Sequence, residues 1–395
     1  MEKQALLNSA KTIHPEVIRI RRHLHKHPEL SFQENETQTF LINELSKIGI
    51  TQIEKIADTG IAVIIDSGNP GACIALRADM DALPIQEANI ADYASVNDGI
   101  MHACGHDTHM SSLYGCLKLL NSNKSNWKGK VLAIFQPGEE VLPGGASKVI
   151  ESGIFDKYKA RLIIGQHVMP GMPVGHVGFK AGAYMASTDE IYIKVSGKGG
   201  HAATPSLTKD TVACAAEMLL TLKSEIKTMA KDVPVVLGFG KIIADGSNNI
   251  IPSEVNLEGT FRTMDEAFRK YAKNQMKTIL QSIANRYGTE VKLSIRDGYP
   301  SLNNHREYTN DAQEYMQELL SNSQVEAMDI RLTGEDFAYY SQKMPAIFYR
   351  FGIQGEKLGS VNVHNRFFDI DENALIYSTA GLAWLSIQFL NQFNS

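Results

Sequence analysis

Four cysteines in 395 residues, Cys73, Cys104, Cys116 and Cys214, are too few and too scattered to make a disulfide framework. There is no low-complexity tract and no block of like charge, which excludes long disordered arms. The net charge of -5 comes from interspersed acids and bases, without a basic stripe to hold nucleic acid or an anionic membrane surface. Long apolar runs are missing as well. The opening MEKQALLNSAK has no apolar centre of an export signal, and the longest apolar stretch, ALIYSTAGLAWLSIQFL, carries Ser, Thr and Gln as a packed helix does. The expected setting is therefore cytoplasmic and reducing, with free cysteines acting as small buried apolar groups unless their neighbours give them other work.

What is present is the composition of a folded protein: 43% apolar residues, 21% charged and 31 glycines. The length predicts two domains or three, with two the default. The stretch from Pro15 to Gly49 reads as helical, with Leu41, Leu45 and Ile48 at helical spacing. IAVIIDS (61–67), ACIALRA (72–78), KVLAIF (130–135) and ARLIIGQ (160–166) follow as short β-rich runs, separated by helical stretches such as THMSSLYGCLKLL and ASKVIESG. That alternation predicts an α/β layer with a largely covered sheet.

The middle of the chain has a different rhythm. DEIYIKVSG (189–197), VVLGFGKII (235–243), EVNLEGTFRT (254–263) and EVKLSIRDG (290–298) are strands. Between them lie one helix carrying Val212, Ala215, Leu219, Leu222 and Ile226 and another carrying Phe268, Ala272, Met276, Ile279 and Ile283. The βαββαβ order is that of a ferredoxin-like unit. The tail, with helical DAQEYMQELL, a strand AIFYRF and a last helix, has no core of its own. The expected organisation is thus one α/β domain from 1–184 and 297–395, interrupted by an inserted domain at 185–296.

Chemistry-bearing side chains concentrate in MHACGHDTHM (101–110), which holds Cys104, Asp107 and the histidines His102, His106 and His109. A thiolate one residue from an imidazole, Cys104 and His106, suits zinc and related divalent ions. It also suits a nucleophile with its base, and an isolated Cys-x-His is more often just a glycine-rich turn. QPGEE brings Glu139 and Glu140 to the end of KVLAIF, where open α/β sheets gather their ligand sites, and adjacent side chains there point different ways. His167 follows ARLIIGQ, and His364 sits in VNVHNRF before the last helix. In RADMDALP, Asp79 either orients a ligand or caps a turn through Pro84. Each residue alone has a bland explanation. Their common placement at strand ends, where one cleft can collect them, is what favours a site.

RADMDALP, HACGHDTH, QPGEE, GQHV, GKGGHAATP, NIIP, TGEDF and VHN occur in the order and approximate spacing of the dinuclear-metal aminoacylase and carboxypeptidase family. The chain resembles the amidohydrolase branch of that family, which contains N-acyl-amino-acid amidohydrolases, indole-3-acetyl-amino-acid hydrolases and N-acetyldiaminopimelate deacetylases. The resemblance implies a metal-dependent exopeptidase-like catalytic domain with an inserted dimerisation or lid domain. It assigns metal ligation to Cys104, His106, Glu140, His167 and His364, and makes Glu139 the general base. His201, in GKGGHAATP, corresponds to the histidine that reaches a partner subunit's site and helps hold the developing oxyanion, and Asn249 to a substrate contact. Two departures stand out. Other branches place a ligand histidine where this chain has Arg77, so Asp79, kept among the catalytic candidates, does not orient a ligand at that position. The usual Ser of G-S-E-D-F is Gly334.

The implied cofactors are two divalent ions per subunit, drawn from zinc, manganese, cobalt and nickel. The implied partners are a small N-acyl amino acid or short peptide as substrate and a second copy of the chain, in a homodimer or larger homo-oligomer. Hydrolysis of the acyl amide by a metal-activated water is the expected reaction, with aminopeptidase or dipeptidase action by the same mechanism as the alternative. Two other readings compete: a thiol hydrolase using Cys104 and His106, and a non-catalytic metal-containing protein that binds acylated amino acids.

Overall fold

The helical stretch expected from Pro15 to Gly49 is two helices, α1 (Lys3–Lys26) and α2 (Asn35–Lys47). Pro28 explains the break: a proline disfavours helical geometry in the residue before it, and α1 stops one residue short of His27. α1 begins well before Pro15 and carries that proline inside. The computed structural model describes residues 2–395.

The chain divides into two units, one of Met1–Gly182, Asn303–Asp329 and Tyr339–Ser395, the other of Ala183–Leu302 and Ile330–Ala338. In the first, strands β1 (Ile53–Ile56), β2 (Gly60–Asp66), β3 (Cys73–Asp79), β4 (Lys130–Gln136), β5 (Ala160–Pro173) and β6 (Val177–Phe179) join Val325–Ala327 and Ala346–Gln354. They form one eight-stranded mixed sheet in the order β1, β2, β4, β3, β5, Ala346–Gln354, β6, Val325–Ala327. β3 is parallel to both neighbours. Every residue of β3 is buried, as are all but the first of β4, so these strands read as unbroken apolar runs instead of alternating ones. α1, α3 (His106–Ser122) and the C-terminal helix Ala374–Asn394 pack on one another beside this sheet. β3 and β4 end at Asp79 and Gln136, so Asp79, Asp81, Glu139 and Glu140 all emerge at one edge.

The second unit contains β7 (Asp189–Ser196), α4 (Thr211–Ala230), β8 (Val235–Ile243), β9 (Glu254–Thr263), α5 (Glu266–Tyr287) and β10 (Glu290–Asp297). The four strands are antiparallel in the order β8, β9, β7, β10, the ferredoxin-like arrangement. β7 alternates, burying Ile191, Ile193 and Val195 against the two helices. Asp210 and Asp265 cap those helices, accepting hydrogen bonds from Ala213 N at 2.9 Å and Phe268 N at 2.6 Å. The buried stripe of α4 is Cys214, Ala215, Met218, Leu222 and Ile226, rotated slightly from the predicted face, which leaves Val212 40% exposed. Ala215, Leu222 and Ile226 are buried as expected, Cys214 and Met218 join them, and Leu219 is only partly buried. Among the described residues no helix is long and apolar enough to cross a membrane.

Packing of this kind gives a direct test of the helix faces. Met276, fully buried on α5, should cost about 2–5 kcal/mol when changed to Ala, whereas Val212→Ala should stay within about 0.5 kcal/mol of the parent. Urea unfolding of the two variants checks both; equal losses would mean that the face of α4 is misassigned.

Candidate metal centre

Gly105 makes the local geometry of the Cys104 segment possible. It joins Cys104 to the first residue of α3 with φ +82°, a left-handed conformation natural to glycine, and a Cβ there would stand 2.9 Å from Val168 Cγ2. The tight turn turns Cys104 and His106 toward the same space. Gly138 does the equivalent for QPGEE: its φ is +61°, and the ring of Phe32 lies where a Cβ would be, 2.4 Å away. Glu34 Oε1 accepts the Gly138 N–H at 2.9 Å, and Asp81 Oδ2 accepts the Glu140 N–H at 2.9 Å, fixing the loop from both sides.

Cys104, His106 and His167 bring one ligand atom each to within 4.8 Å of one another, as do Cys104, Glu140 and His364, and again His106, Glu139 and Glu140. Cys104 belongs to two of these trios, so the five candidate donors form one continuous cluster with Glu139 beside it. Cys104 Sγ lies 3.5 Å from His167 Nε2, and Glu140 Oε1 lies 3.2 Å from His364 Nε2. Cys104, His106, Glu139 and His167 are buried, while the His364 side chain is 51% exposed. His364 holds φ +60°, uncommon for a residue with a Cβ, and its N–H donates to Ala103 O at 2.8 Å. That one backbone bond ties residues 261 positions apart in the chain into adjacent places.

The histidine tautomers follow from fixed acceptors. His106 Nδ1 donates to Asp81 O at 2.8 Å and His167 Nδ1 to Val168 O at 2.9 Å, so in both rings Nε2 is the atom that faces the cluster. His167 is not just past a strand, as its sequence position suggested, but inside β5, paired with Arg350. β5 outlasts its neighbour β3, whose register with it ends at Arg77 and Gly165. His167 therefore sits where one side of β5 is released from the sheet.

His109 is different. Its Nδ1 lies 2.6 Å from Asp79 Oδ1 and its Nε2 accepts the Val168 N–H at 3.0 Å, so both nitrogens are committed. It braces the strand next to His167 instead of joining the donors. His102 is fully buried with neither ring nitrogen hydrogen-bonded, and burial lowers its pKa to about 4. Asp79 accepts from Arg77 Nη1 at 2.6 Å and approaches His106 Nε2 at 3.7 Å. Asp81, by its carbonyl and its carboxylate, supports both His106 and Glu140, a role that its spacing in RADMDALP did not distinguish from that of Asp79.

The electrostatics of the cluster call for positive charge. Burial alone would lower the His106 pKa, but Asp79, Asp81 and Glu140 outweigh it and raise the value to about 10. Burial, reinforced by Glu140, Glu139 and Asp79, pushes the Cys104 thiol well above its ordinary range. Burial, with Arg350, keeps His167 neutral. His106 Nε2 faces Asp79 and Glu140 at 3.7 and 3.9 Å without a hydrogen-bond partner. Sulfur, imidazole and carboxylate donors around an excess of buried negative charge fit divalent cations.

His201 and Asn249 lie in the second unit, both exposed. His201 pairs with Ile250 in a two-stranded ribbon, and Ala202 N donates to Asn249 O at 2.9 Å. His201 Nδ1 accepts the Ala203 N–H at 3.0 Å, which leaves its proton on Nε2, 3.5 Å from Asn249 Nδ2.

Comparison with known proteins places this geometry among relatives. The chain is 37% identical over 379 residues to N-acetylcysteine deacetylase of Bacillus subtilis (strain 168), covering 95% of this chain and 97% of that protein. It is 36% identical over 395 residues to thermostable carboxypeptidase 2 of Saccharolobus solfataricus, covering 98% and 99%. Its fold superposes on the crystal structure of a dinuclear metal-binding peptidase of the M20 family from Bacillus subtilis with a TM-score of 0.85 at 35% identity, covering 96% of this chain and 99% of that one. The description of peptidase family M20/M25/M40 matches residues 75–383. Since that match takes in most of β3, α3, QPGEE, His167 and His364 and runs through most of the sequence, the chain belongs to peptidase family M20/M25/M40.

Proposed function

We propose that this chain hydrolyses the amide bond of N-acyl amino acids, with two divalent cations held by Cys104, His106, Glu140, His167 and His364. The observation that carries the reading is the buried cluster of sulfur, imidazole and carboxylate donors whose surroundings raise both His106 and Cys104, beside a further carboxylate, Glu139. Bound cations there would lower the pKa of a water and polarise the acyl carbonyl. Zinc, manganese, cobalt and nickel all suit the mixed donor set.

Glu139 takes the proton from the attacking water and delivers it to the departing amine nitrogen as the amide C–N bond breaks. Its buried position keeps bulk water from competing for that proton. His201 carries its proton on Nε2, the tautomer needed to donate to the oxyanion, and Asn249 beside it contacts substrate. Both are supplied by the partner copy in a dimer formed through the inserted unit. Asp79 acts through its neighbours, holding Arg77 and His109 and lending negative charge to His106.

The names of the relatives support acyl-amino-acid substrates, and the carboxypeptidase among them supports peptide cleavage as the second reading. Fold and motif are shared between such activities, and the shape of the substrate pocket divides them. Metal-reconstituted protein screened by mass spectrometry against acetyl, long-chain acyl and aryl-acyl amino acids and dipeptides tests the assignment. No turnover on any of them would return the protein to the class of binding proteins.

Glu139→Gln should lower kcat by about 10²–10⁴-fold with metal content unchanged, measured by steady-state kinetics and elemental analysis. Wild-type turnover in the variant would remove Glu139 from its role. Mixed dimers of His201→Ala and Glu139→Gln subunits should regain part of the activity that neither variant has alone; verified heterodimers that stay inactive would contradict a shared site. In metal-free protein Cys104 should be alkylated by iodoacetamide far more slowly than free cysteine at pH 8, its rate still climbing above pH 9, because a raised pKa leaves little thiolate below that range. Rapid alkylation at pH 7 would favour the thiol-hydrolase alternative.

A further inference from the structure

A second buried polar network lies behind the candidate metal centre and takes no part in the proposed reaction. Arg21 and His25, one turn apart on α1, are both fully buried. Arg21 Nε donates to Asp107 Oδ2 at 2.8 Å, Nη2 to Asp369 Oδ1 at 2.7 Å and Nη1 to Glu372 Oε1 at 3.3 Å. His25 Nδ1 lies 2.9 Å from the same Asp107 oxygen, and its Nε2 lies 3.1 Å from Glu87 Oε1. Four carboxylates from three separate segments thus converge on two side chains of one helix.

Each of those segments leads into the candidate site. Asp107 follows His106 in the first turn of α3. Glu87 belongs to the stretch that runs on from Asp79 and Asp81, and Asp369 and Glu372 lie on the stretch that follows His364. Asn89 ties the last two together, donating from Nδ2 to Glu87 Oε1 at 3.1 Å and to Phe368 O at 2.9 Å. Breaking one member of such a buried ionic cluster leaves uncompensated charge, so the segments are locked to each other through α1. α1 lies outside residues 75–383, the span matched by the family description.

We infer that Arg21 and His25 are positioning residues for the metal centre: by holding Asp107, Glu87, Asp369 and Glu372 they set the spacing between His106 and His364 across Cys104 and Glu140. The inference rests on the metal-centre reading given above. The guanidinium matters as a fork, because its three nitrogens reach three carboxylates in different directions. A lysine keeps the charge but releases at least one segment.

Cobalt titration of the metal-free, full-length chain tests this, reading affinity together with the near-ultraviolet thiolate-to-cobalt band of Cys104. Arg21→Lys and Arg21→Gln should weaken cobalt binding about tenfold or more and shift the band. Asn89→Ala, which buries no new charge, should cause a smaller loss of the same kind. It keeps the test open if the Arg21 variants do not fold. Leu6→Ala, a core change on the same helix, should lower the melting temperature while leaving affinity and spectrum as in the parent. Wild-type affinity and spectrum in the folded Arg21 variants, or in Asn89→Ala when those do not fold, would overturn the inference, as would an equal loss in Leu6→Ala. If the wild-type chain itself takes up no cobalt, the metal-centre reading fails and this inference with it.

Discussion

Asp79, Asp81, Glu139 and Glu140 are crowded together at the edge where β3 and β4 end, and most of that group is out of water. Buried carboxylates are tolerable only when positive charge or hydrogen-bond donors meet them. The surrounding structure supplies both in part. Arg77 pairs with Asp79, Ser31 Oγ and the Glu140 N–H serve Asp81, and His106 is driven toward its cationic form by what remains. The unmet portion of that demand gives the cluster its chemical character.

Rigidity of the frame follows from how the segments are mounted. Glycines at 105 and 138 set two sharp turns, the Ala103 carbonyl receives the backbone of His364, and His109 braces Val168 beside His167. None of these contacts is itself a donor to a cation. They fix ring planes and loop positions, and a group of donors is useful to a metal cation only when its members stay within a few tenths of an ångström of their places.

Much of the fold is legible in the sequence because its signals are local. The doubly covered strands β2, β3 and β4 are unbroken β-rich runs, and the second unit alternates periods of two and 3.6 in the order βαββαβ. The strands Ile53–Ile56, Val177–Phe179 and Val325–Ala327 leave no such trace, since three or four residues at a sheet margin need no apolar run. Break and register also depend on single residues: Pro28 divides the first helical stretch, and α4 buries a face slightly rotated from the one its aliphatic residues suggest. For the candidate site, the residue types and their order along the chain pointed to a cluster, and the structure brings Cys104, His106, Glu139, Glu140, His167 and His364 into neighbouring trios. The parts played by Asp81, His109, Arg21 and His25 could not be read in advance. Asp107 is 86 positions from Arg21, and no periodicity encodes a contact of that range.

His364 is the one candidate donor with half of its side chain in water, mounted on backbone in a left-handed turn, while sulfur and the other two imidazoles sit inside. The arrangement has a front door. Were a cation held by these donors, this imidazole would be the member of the set that solvent competes with most directly, and its place is set by a turn and not by the sheet beneath it.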